Sequence, residues 1–469
     1  MLRGYLQLKK GQKDKAMAKK YSRIFLILPE IKELISQKDK NELKDIFYDY
    51  EPIEIAEALK ELSLKDKVYL FSLWDIDFAI DVFEKMDDDD QVALLNAIDE
   101  VHKKKILNEL APDERVDLFE ELSPEMINRF LSIMEKEKAK DTKELMRYDT
   151  TTAGGRMTTE FVSVKEEISV EEALNVLRKT AKGLEMVYYI YVLNNQDKLV
   201  GVLSLKELIL ANPRDRISQV MHRNPVALPV NMDQEEVARE IARYDFVALP
   251  VVDSNKKMKG IITVDDVIDV IDEENTEDMY KFSAAGEHSE EYMKMRPTLI
   301  AKNRLVWLII LAITGFFSGI VMQKFSFVLE NVIALSFYIP VLMDSAGNAG
   351  TQAAMAVVRG LATGEVRIRD IWRVVKKEFL IGGMLGIPLG LVALVRALIF
   401  QKSSLLGVSV ALTMLIAITF ATCLGAVLPL ICKRLRLDPA VVSGPLITTI
   451  LDISSLTIYF TVAIILLRL

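Results

Sequence analysis

The chain has 469 residues, of which 51% are hydrophobic, and Asp and Glu outnumber Lys and Arg by 67 to 59, for a formal net charge of −8. The charge is divided: residues 301–469 hold 15 basic and 7 acidic side chains, leaving 44 and 60 for residues 1–300, so the first part is acidic by 16 and the last part basic by 8. An acidic domain of that size points to cations rather than nucleic acid as partners, the two cysteines, Cys423 and Cys432, imply no disulfide framework, and the scattered His102, His222 and His288 suggest no zinc-type cluster.

The first 22 residues form a basic arm, and Tyr5 to Tyr21 is too charged to be a secretory signal. From residue 23 to 150 the pattern is helical, with a repeat of twelve. A single apolar residue recurs at Tyr50, Leu62, Trp74, Met86, Ile98, Leu110, Leu122 and Met134, followed eight and nine positions later by apolar pairs such as Leu70-Phe71, Val82-Phe83 and Leu118-Phe119. Ser63, Asp75, Asp87, Asp99 and Ser123 stand where a helix needs its N-cap, and Pro52, Pro112 and Pro124 where its first residue falls. Each unit predicts one short helix, and short helices bury an apolar face only by stacking, so an α-solenoid is expected. The Asp87 to Asp90 run reads as a helix N-terminus favoured by the macrodipole.

Residues 151–214 and 215–275 change to β-branched strands alternating with helices, in two copies. Met157-Thr158 is echoed by Met221-His222, Tyr189-Ile190-Tyr191-Val192 by Ala248-Leu249-Pro250-Val251, and Gly201-Val202-Leu203-Ser204 by Gly260-Ile261-Ile262-Thr263. These echoes resemble a tandem pair of CBS domains, which implies an α/β regulatory module able to take adenine nucleotides such as ATP. In that family an acid three places after Ser or Thr contacts the ribose; here the positions are Glu207, the less usual residue, and Asp266.

The helix after the second copy is expected to run on through Ile271, Asn275 and Met279 toward Phe282, with residues 264–297 forming a connecting helix and linker to the membrane. It carries Asp265, Asp266, Asp269, Asp272, Glu273, Glu274, Glu277 and Asp278, a run that by itself reads as a solvated face.

After about residue 298 apolar runs follow one another at lengths able to cross roughly 30 Å of hydrocarbon. Five spans are expected, about Val306–Met322, Asn331–Val358, Phe379–Phe400, Leu405–Ile431 and Val441–Leu467, with Pro340, Pro388, Pro429 and Pro445 at kinks. Arg359, Arg367, Arg369, Arg373, Lys376 and Lys377 in one loop, and Lys433, Arg434 and Arg436 in another, assign those loops to the cytoplasm. The N-terminus is then inside and the C-terminus outside the cell membrane. Gly315 and Gly319, and Gly382, Gly386 and Gly390, are spaced four apart for close helix packing. Two mid-span acids stand out: Asp344, within the polar stretch Pro340 to Gln352, and Asp452 in the last span. Acids at that depth are functional suspects. Asp344 either lines an ion path or pairs with a polar group such as Thr448; Asn348 either caps a helix break beside Gly347 and Gly350 or lines the same path; Asp452 either serves an ion or holds a structural hydrogen bond.

The order of an acidic α-solenoid, paired CBS domains, connecting helix and five-helix transmembrane domain in one multidomain membrane protein resembles the MgtE family of magnesium channels. The resemblance is carried by Ala153-Gly154-Gly155-Arg156-Met157-Thr158, by the Pro340 to Gln352 stretch with Arg359-Gly360-Leu361-Ala362-Thr363, and by Asp438-Pro439-Ala440, Ser443-Gly444-Pro445-Leu446 and Asp452. Ala346 stands where the family often has Gly, and Gly444 where some members have Asn. The resemblance implies a homodimer in which Asp452 is the selectivity element, with Asn348 assisting. It also implies regulatory Mg²⁺ bound by Asp113, Asp117, Asp245, Asp266, Asp269, Glu274, Glu277 and Asp278, closing the channel. A hydrated octahedral ion needs few carboxylates and room, which suits this pore. No nucleophile with its base and no P-loop is present, so no enzyme is expected. A channel for Co²⁺ or Mn²⁺ and a membrane-anchored metal or nucleotide sensor that transports nothing remain the rival readings.

Overall fold

The computed structural model describes residues 24–181, 184, 186–283, 295–439 and 444–469. The basic arm, Ala284, His288, Ala440 and Ser443 lie outside the described residues. The chain divides into two compact units, residues 1–270 and 271–469.

The described residues of the first unit begin with ten helices: α1 (Ile24–Gln37), α2 (Lys40–Phe47), α3 (Pro52–Leu59), α4 (Leu64–Phe71), α5 (Ile76–Glu84), α6 (Asp88–Ala97), α7 (Glu100–Glu109), α8 (Pro112–Glu120), α9 (Pro124–Ile133) and α10 (Lys136–Leu145). From α3 onward each begins twelve residues after the last. Ser63, Asp99 and Ser123 cap their helices by accepting from backbone N–H groups, and Pro52, Pro112 and Pro124 sit in first turns. Asp75 and Asp87 hold the N-cap position without a capping hydrogen bond. Their carboxylates are used elsewhere: Lys44 lies 3.1 Å and the Tyr48 hydroxyl 2.9 Å from Asp75, and Lys60 lies 2.6 Å from Asp87. Helices pack on their next-but-one neighbours, α3 on α5, α4 on α6, α5 on α7, so the recurring apolar residues, Leu62 to Met134, and the apolar pairs merge into one core. Trp74 meets Phe47, Phe71 and Phe78 at ring separations of 5.1, 5.0 and 5.4 Å.

The two copies that follow build two sheets. In the first, β1 (Ser163–Lys165) runs parallel to β2 (Tyr189–Leu193), which is antiparallel to β3 (Leu199–Ser204), which in turn is antiparallel to β4 (His222–Arg223). The second repeats the plan with β5 (Leu228–Pro229), β6 (Ala248–Val252) and β7 (Met258–Thr263). The copies exchange leading segments: β4, near the start of the second copy, pairs with β3 of the first, while Thr158, near the start of the first, bridges to Ile261 in β7 of the second. The glycine at each exchange point admits the segment from the other copy; a Cβ on Gly260 would lie 2.5 Å from the Thr158 carbonyl oxygen. Helices α11 (Val170–Thr180), α12 (Leu205–Leu210), α13 (Ile217–Val220) and α14 (Gln234–Tyr244) complete the copies. Val116 of α8 enters the core of the second copy beside Val267 and Val270. The Ala153-Gly154 turn is a packing device, its N–H groups donating to Met232 and Val230 carbonyls at 2.8 Å. Helix α15 is continuous from Val264 to Phe282, as its sequence predicts.

The second unit contains α16 (Pro297–Lys324), α17 (Ser326–Asn331), a 3₁₀ turn (Ile333–Tyr338), α18 (Ile339–Ala362), a 3₁₀ turn (Ile368–Asp370), α19 (Ile371–Phe400), α20 (Ser404–Arg434) and α21 (Gly444–Leu467). Among the described residues, four helices are long and apolar enough to cross a membrane: Pro297–Lys324, Ile368–Phe400, Ser404–Arg434 and Gly444–Leu467. Together with the exposure of Leu308, Ile309, Ile313, Phe316 and Phe317 along α16, this marks a membrane protein. Helix α18 has 24 residues, or about 36 Å at 1.5 Å each, and its polar stretch keeps it out of that set. The span expected from Asn331 begins as a helix only at Ile339, and Pro340 lies in its first turn, where a missing N–H leaves no carbonyl without its donor. Pro445 likewise stands second in α21; Pro388 and Pro429 are interior. Gly382, Gly386 and Gly390 let α19 touch α20 at Thr419, Leu415 and Ala411, whereas among the described residues nothing lies near Gly315 or Gly319.

Candidate ion pathway and regulatory acids

In the second unit α18, α20 and α21 are brought together by small residues. A Cβ on Gly425 of α20 would lie 3.0 Å from Gly350 Cα, and one on Gly347 would lie 3.2 Å from Thr448 of α21. Helices α18 and α21 are antiparallel: the Tyr459 hydroxyl donates to the Leu335 carbonyl at 2.9 Å near one end, and Gly444 faces Thr351 nearer the other. That register sets Asp344 and Asp452 at the same level.

Asp344 and Asn348 lie on an exposed face of α18, one turn apart, with Asn348 Nδ2 donating to Asp344 Oδ1 at 3.2 Å. Asp344 thus pairs with a polar group, as one of the sequence alternatives allowed, but that group is Asn348 and not Thr448. Thr448 donates its hydroxyl to the Pro445 carbonyl at 2.8 Å and turns its methyl to Gly347, so it does not pair with Asp344. Helix α18 runs unbroken past Asn348, so there is no break to cap. Asp452 is half-buried, one turn beyond Thr448, and has neither a hydrogen bond nor an ion pair among the described residues. Among the described residues no structural hydrogen bond offsets its charge, and a charge at mid-span costs about 2.5–3.5 kcal/mol. Here, then, are three hard oxygen donors, Asp344 and Asp452 level with each other and Asn348 one turn further along α18, suited to a cation that keeps most of its water.

At the end of this unit that carries the α20–α21 loop, Lys281 of α15 is paired with Glu277 and lies 2.9 Å from Asp438. Although burial works against its charge, the two carboxylates hold Lys281 above its ordinary value. Phe282 sits against Gly444: a Cβ there would be 3.3 Å from the Phe282 ring and 3.3 Å from the Thr351 methyl. The Gly444 departure noted in the sequence thus makes a seat for an aromatic ring. Lys281 and Phe282 were not among the predicted site residues, because their partners are more than 150 positions away.

The regulatory acids named above fall in both units. In the first, Asp113 and Asp117 stand a turn apart on α8, which packs on the start of α15 through Val116, Val267 and Val270. Between them Glu114 is pushed up to about 8, by burial first and then by Glu84, Asp117 and Asp266, with Lys85 acting the other way. Asp266 is raised by burial and by Asp265 and Asp269, against hydrogen bonds from Thr263. Glu84 and Glu114 thus join a crowd of carboxylates that the sequence marked only by Asp113, Asp117, Asp266 and Asp269; burial is what distinguishes Glu114. Asp245 is exposed, in left-handed backbone at φ 55° at the C-terminus of α14. Glu274, Glu277 and Asp278 belong to the second unit, and Glu277 is engaged by Lys281. Among the described residues no three His, Cys, Asp or Glu side chains are already gathered as a metal-ligand set. The crowded carboxylates nonetheless have the donor chemistry Mg²⁺ takes.

The two acids proposed to meet a ribose occupy equivalent posts. Glu207 accepts from Ser204 N and Oγ at 2.8 and 2.9 Å, as Asp266 accepts from Thr263 N and Oγ1 at 3.4 and 2.5 Å. Glu207 is also 2.6 Å from His222 Nε2.

Family models agree with this partition. Residues 339–462 match the model described as divalent cation transporter, residues 50–151 the MgtE intracellular N domain, and residues 153–213 and 217–273 the CBS domain. The magnesium transporter MgtE of Thermus thermophilus is 36% identical over 93% of this chain and 98% of its own length, and that of Bacillus subtilis is 34% identical over 90% and 93%. The crystal structure of the soluble part of a magnesium transporter superposes on 53% of this chain and 97% of its own, with a TM-score of 0.50 and 33% identity. The cytosolic domain of the Mg²⁺ channel MgtE in complex with ATP covers 52% and 99%, with a TM-score of 0.50 and 34% identity. With three family models placed in succession along it and relatives of 34–36% identity over nine-tenths or more of its length, the chain belongs to the MgtE family of divalent cation transporters.

Proposed function

We propose that this protein is a Mg²⁺ channel that takes up the ion down its electrochemical gradient and is shut by cytoplasmic Mg²⁺. The observation that carries the reading is Asp452, a half-buried carboxylate of an apolar helix with no partner among the described residues, level with Asp344 and within about one turn of Asn348. In a homodimer two copies of Asp452 flank one axis and attract a divalent ion without stripping its water, as Mg²⁺ requires. The working topology has five spans, with α18 lined against protein instead of lipid, the N-terminus cytoplasmic and the C-terminus outside.

Closure is assigned to the carboxylates Asp113, Asp117, Asp245, Asp266, Asp269, Glu274, Glu277 and Asp278. Their mutual repulsion favours separation, and a bound divalent cation favours the arrangement in which they stay close. Glu207 and Asp266 are the residues assigned to adenine nucleotide, since an ATP complex is known for a relative's cytosolic domain. The rival ions Co²⁺ and Mn²⁺ share hard oxygen chemistry. Purified protein in liposomes, tested for entry of Mg²⁺, Mn²⁺ and Co²⁺ one at a time and in competition, separates the readings. Preferential Mg²⁺ entry is expected; entry led by Co²⁺ or Mn²⁺ would favour the second reading, and none at all a sensor.

A further inference from the structure

Helix α10 carries charges that neither cation transport nor its control uses. Lys136, Lys140, Lys143 and, in the turn that continues the helix, Arg147 follow at spacings of four, three and four, so they form one stripe. The stripe lines a cavity of about 470 Å³ whose other walls include the buried Leu131 and Met134 of the preceding helix and loop. Residues 1–300 have an excess of 16 acids, so partners for lysine are plentiful, and Lys138 on the opposite face of α10 has one, Glu160 at 3.0 Å. None of the four stripe cations has an ion pair among the described residues. The one acid in the wall, Glu144, is taken by Lys259 at 3.3 Å.

Like charges at these spacings destabilise a helix. The macrodipole favours Lys143 and Arg147 near the C-terminus, but it disfavours Lys136, the first helical residue. A counter-anion in the cavity relieves both penalties. We propose that this cavity binds a multiply charged phosphate compound: its phosphates meet the stripe and its uncharged part lies on Leu131 and Met134. The volume is that of a small-ligand site, and lysine with arginine is the pairing that holds phosphate as point charge and fork. The same chemistry is offered by a free polyphosphate and by a phosphomonoester lipid headgroup.

The site is independent of the ion pathway, and its test leaves the transport reading untouched. Full-length protein in phosphatidylcholine nanodiscs with EDTA, which silences the acidic clusters, is titrated with inorganic pyrophosphate by calorimetry. One site per chain is expected, weakened at least tenfold in Lys140→Ala/Lys143→Ala and unchanged in Lys138→Ala. Because removing like charges from one helix face relieves repulsion, the double variant is expected to melt no lower than wild type; should it fail to fold, Lys143→Gln alone carries the comparison. Nanodiscs containing phosphatidic acid form the second arm: weaker apparent pyrophosphate binding there identifies the headgroup as an occupant, and equal binding identifies the free anion. No pyrophosphate binding in either arm, or equal binding in wild type and the stripe variant, overturns the proposal.

Discussion

Glu114 and Arg115 are neighbours in α8 with opposite electrostatic problems. Arg115 is wholly buried, donating from Nη2 to the Leu110 carbonyl at 2.8 Å and from Nη1 to Thr142 Oγ1 at 3.4 Å. Arg115→Ala leaves a cavity and an unsatisfied carbonyl, so urea unfolding of the soluble unit should show a loss of roughly 2–4 kcal/mol. Glu114 is instead held protonated, with a folded value of about 8 against an ordinary 4.5. The folded unit therefore keeps a proton that the unfolded chain releases, and stability present below about pH 4.5 is lost as pH rises toward 8, by at most about 1.4 kcal/mol per pH unit. In EDTA, Glu114→Gln should flatten that decline; an unchanged slope would mean that another group causes it. Burial of this kind was not legible in the sequence, where Glu114 looks like any acid in the first turn of a helix. The mid-span acids were legible, because polarity within an apolar run needs no tertiary information to be noticed. The loss of the Thr448 alternative needed coordinates, since Thr448 has a carbonyl of its own helix within reach.

Among the elements, the solenoid was the most readable. A twelve-residue phase joined to Ser, Asp and Pro at helix starts specifies both where each helix begins and which face it buries. The beginning of α18 was misplaced, because an apolar stretch from Asn331 to Ile339 does not distinguish a 3₁₀ turn from a helix. The exchange of strands between the two CBS copies was hidden for another reason: β4 has two residues, too few for any periodicity. Hidden too was the attachment of the end of α15, where Lys281 joins Asp438 and Phe282 meets Gly444. This attachment can be tested by charge exchange. Lys281→Asp and Asp438→Lys should each lower the melting temperature of the purified protein, and the double variant should recover much of the loss. The pair is part-exposed, so a coupling of about 1 kcal/mol or less is expected; additive losses would show that the two do not act together.

For the molecule as a whole, the division of charge between an acidic soluble part and a basic membrane part already announced a cation-dependent device. Which acids gather was not announced, since that depends on α8 meeting the start of α15. Driving a two-state switch from 1:99 to 99:1 takes roughly 5.5 kcal/mol of differential binding, so several modest sites must act together. Neutralising Asp113, Asp117, Asp266 and Asp269 together should shift inhibition by cytoplasmic Mg²⁺ to higher concentration while leaving the ion preference alone, and each single change should shift it only in part. A changed preference among ions would place these acids in the conduction path instead. The central claim is that Asp452 serves the permeating ion. It is tested most directly by measuring Mg²⁺ flux into liposomes bearing wild type or Asp452→Ala at equal protein density and equal melting temperature. Loss of Mg²⁺ flux or of its selectivity over monovalent ions is predicted; wild-type flux with wild-type selectivity in the variant would contradict the account.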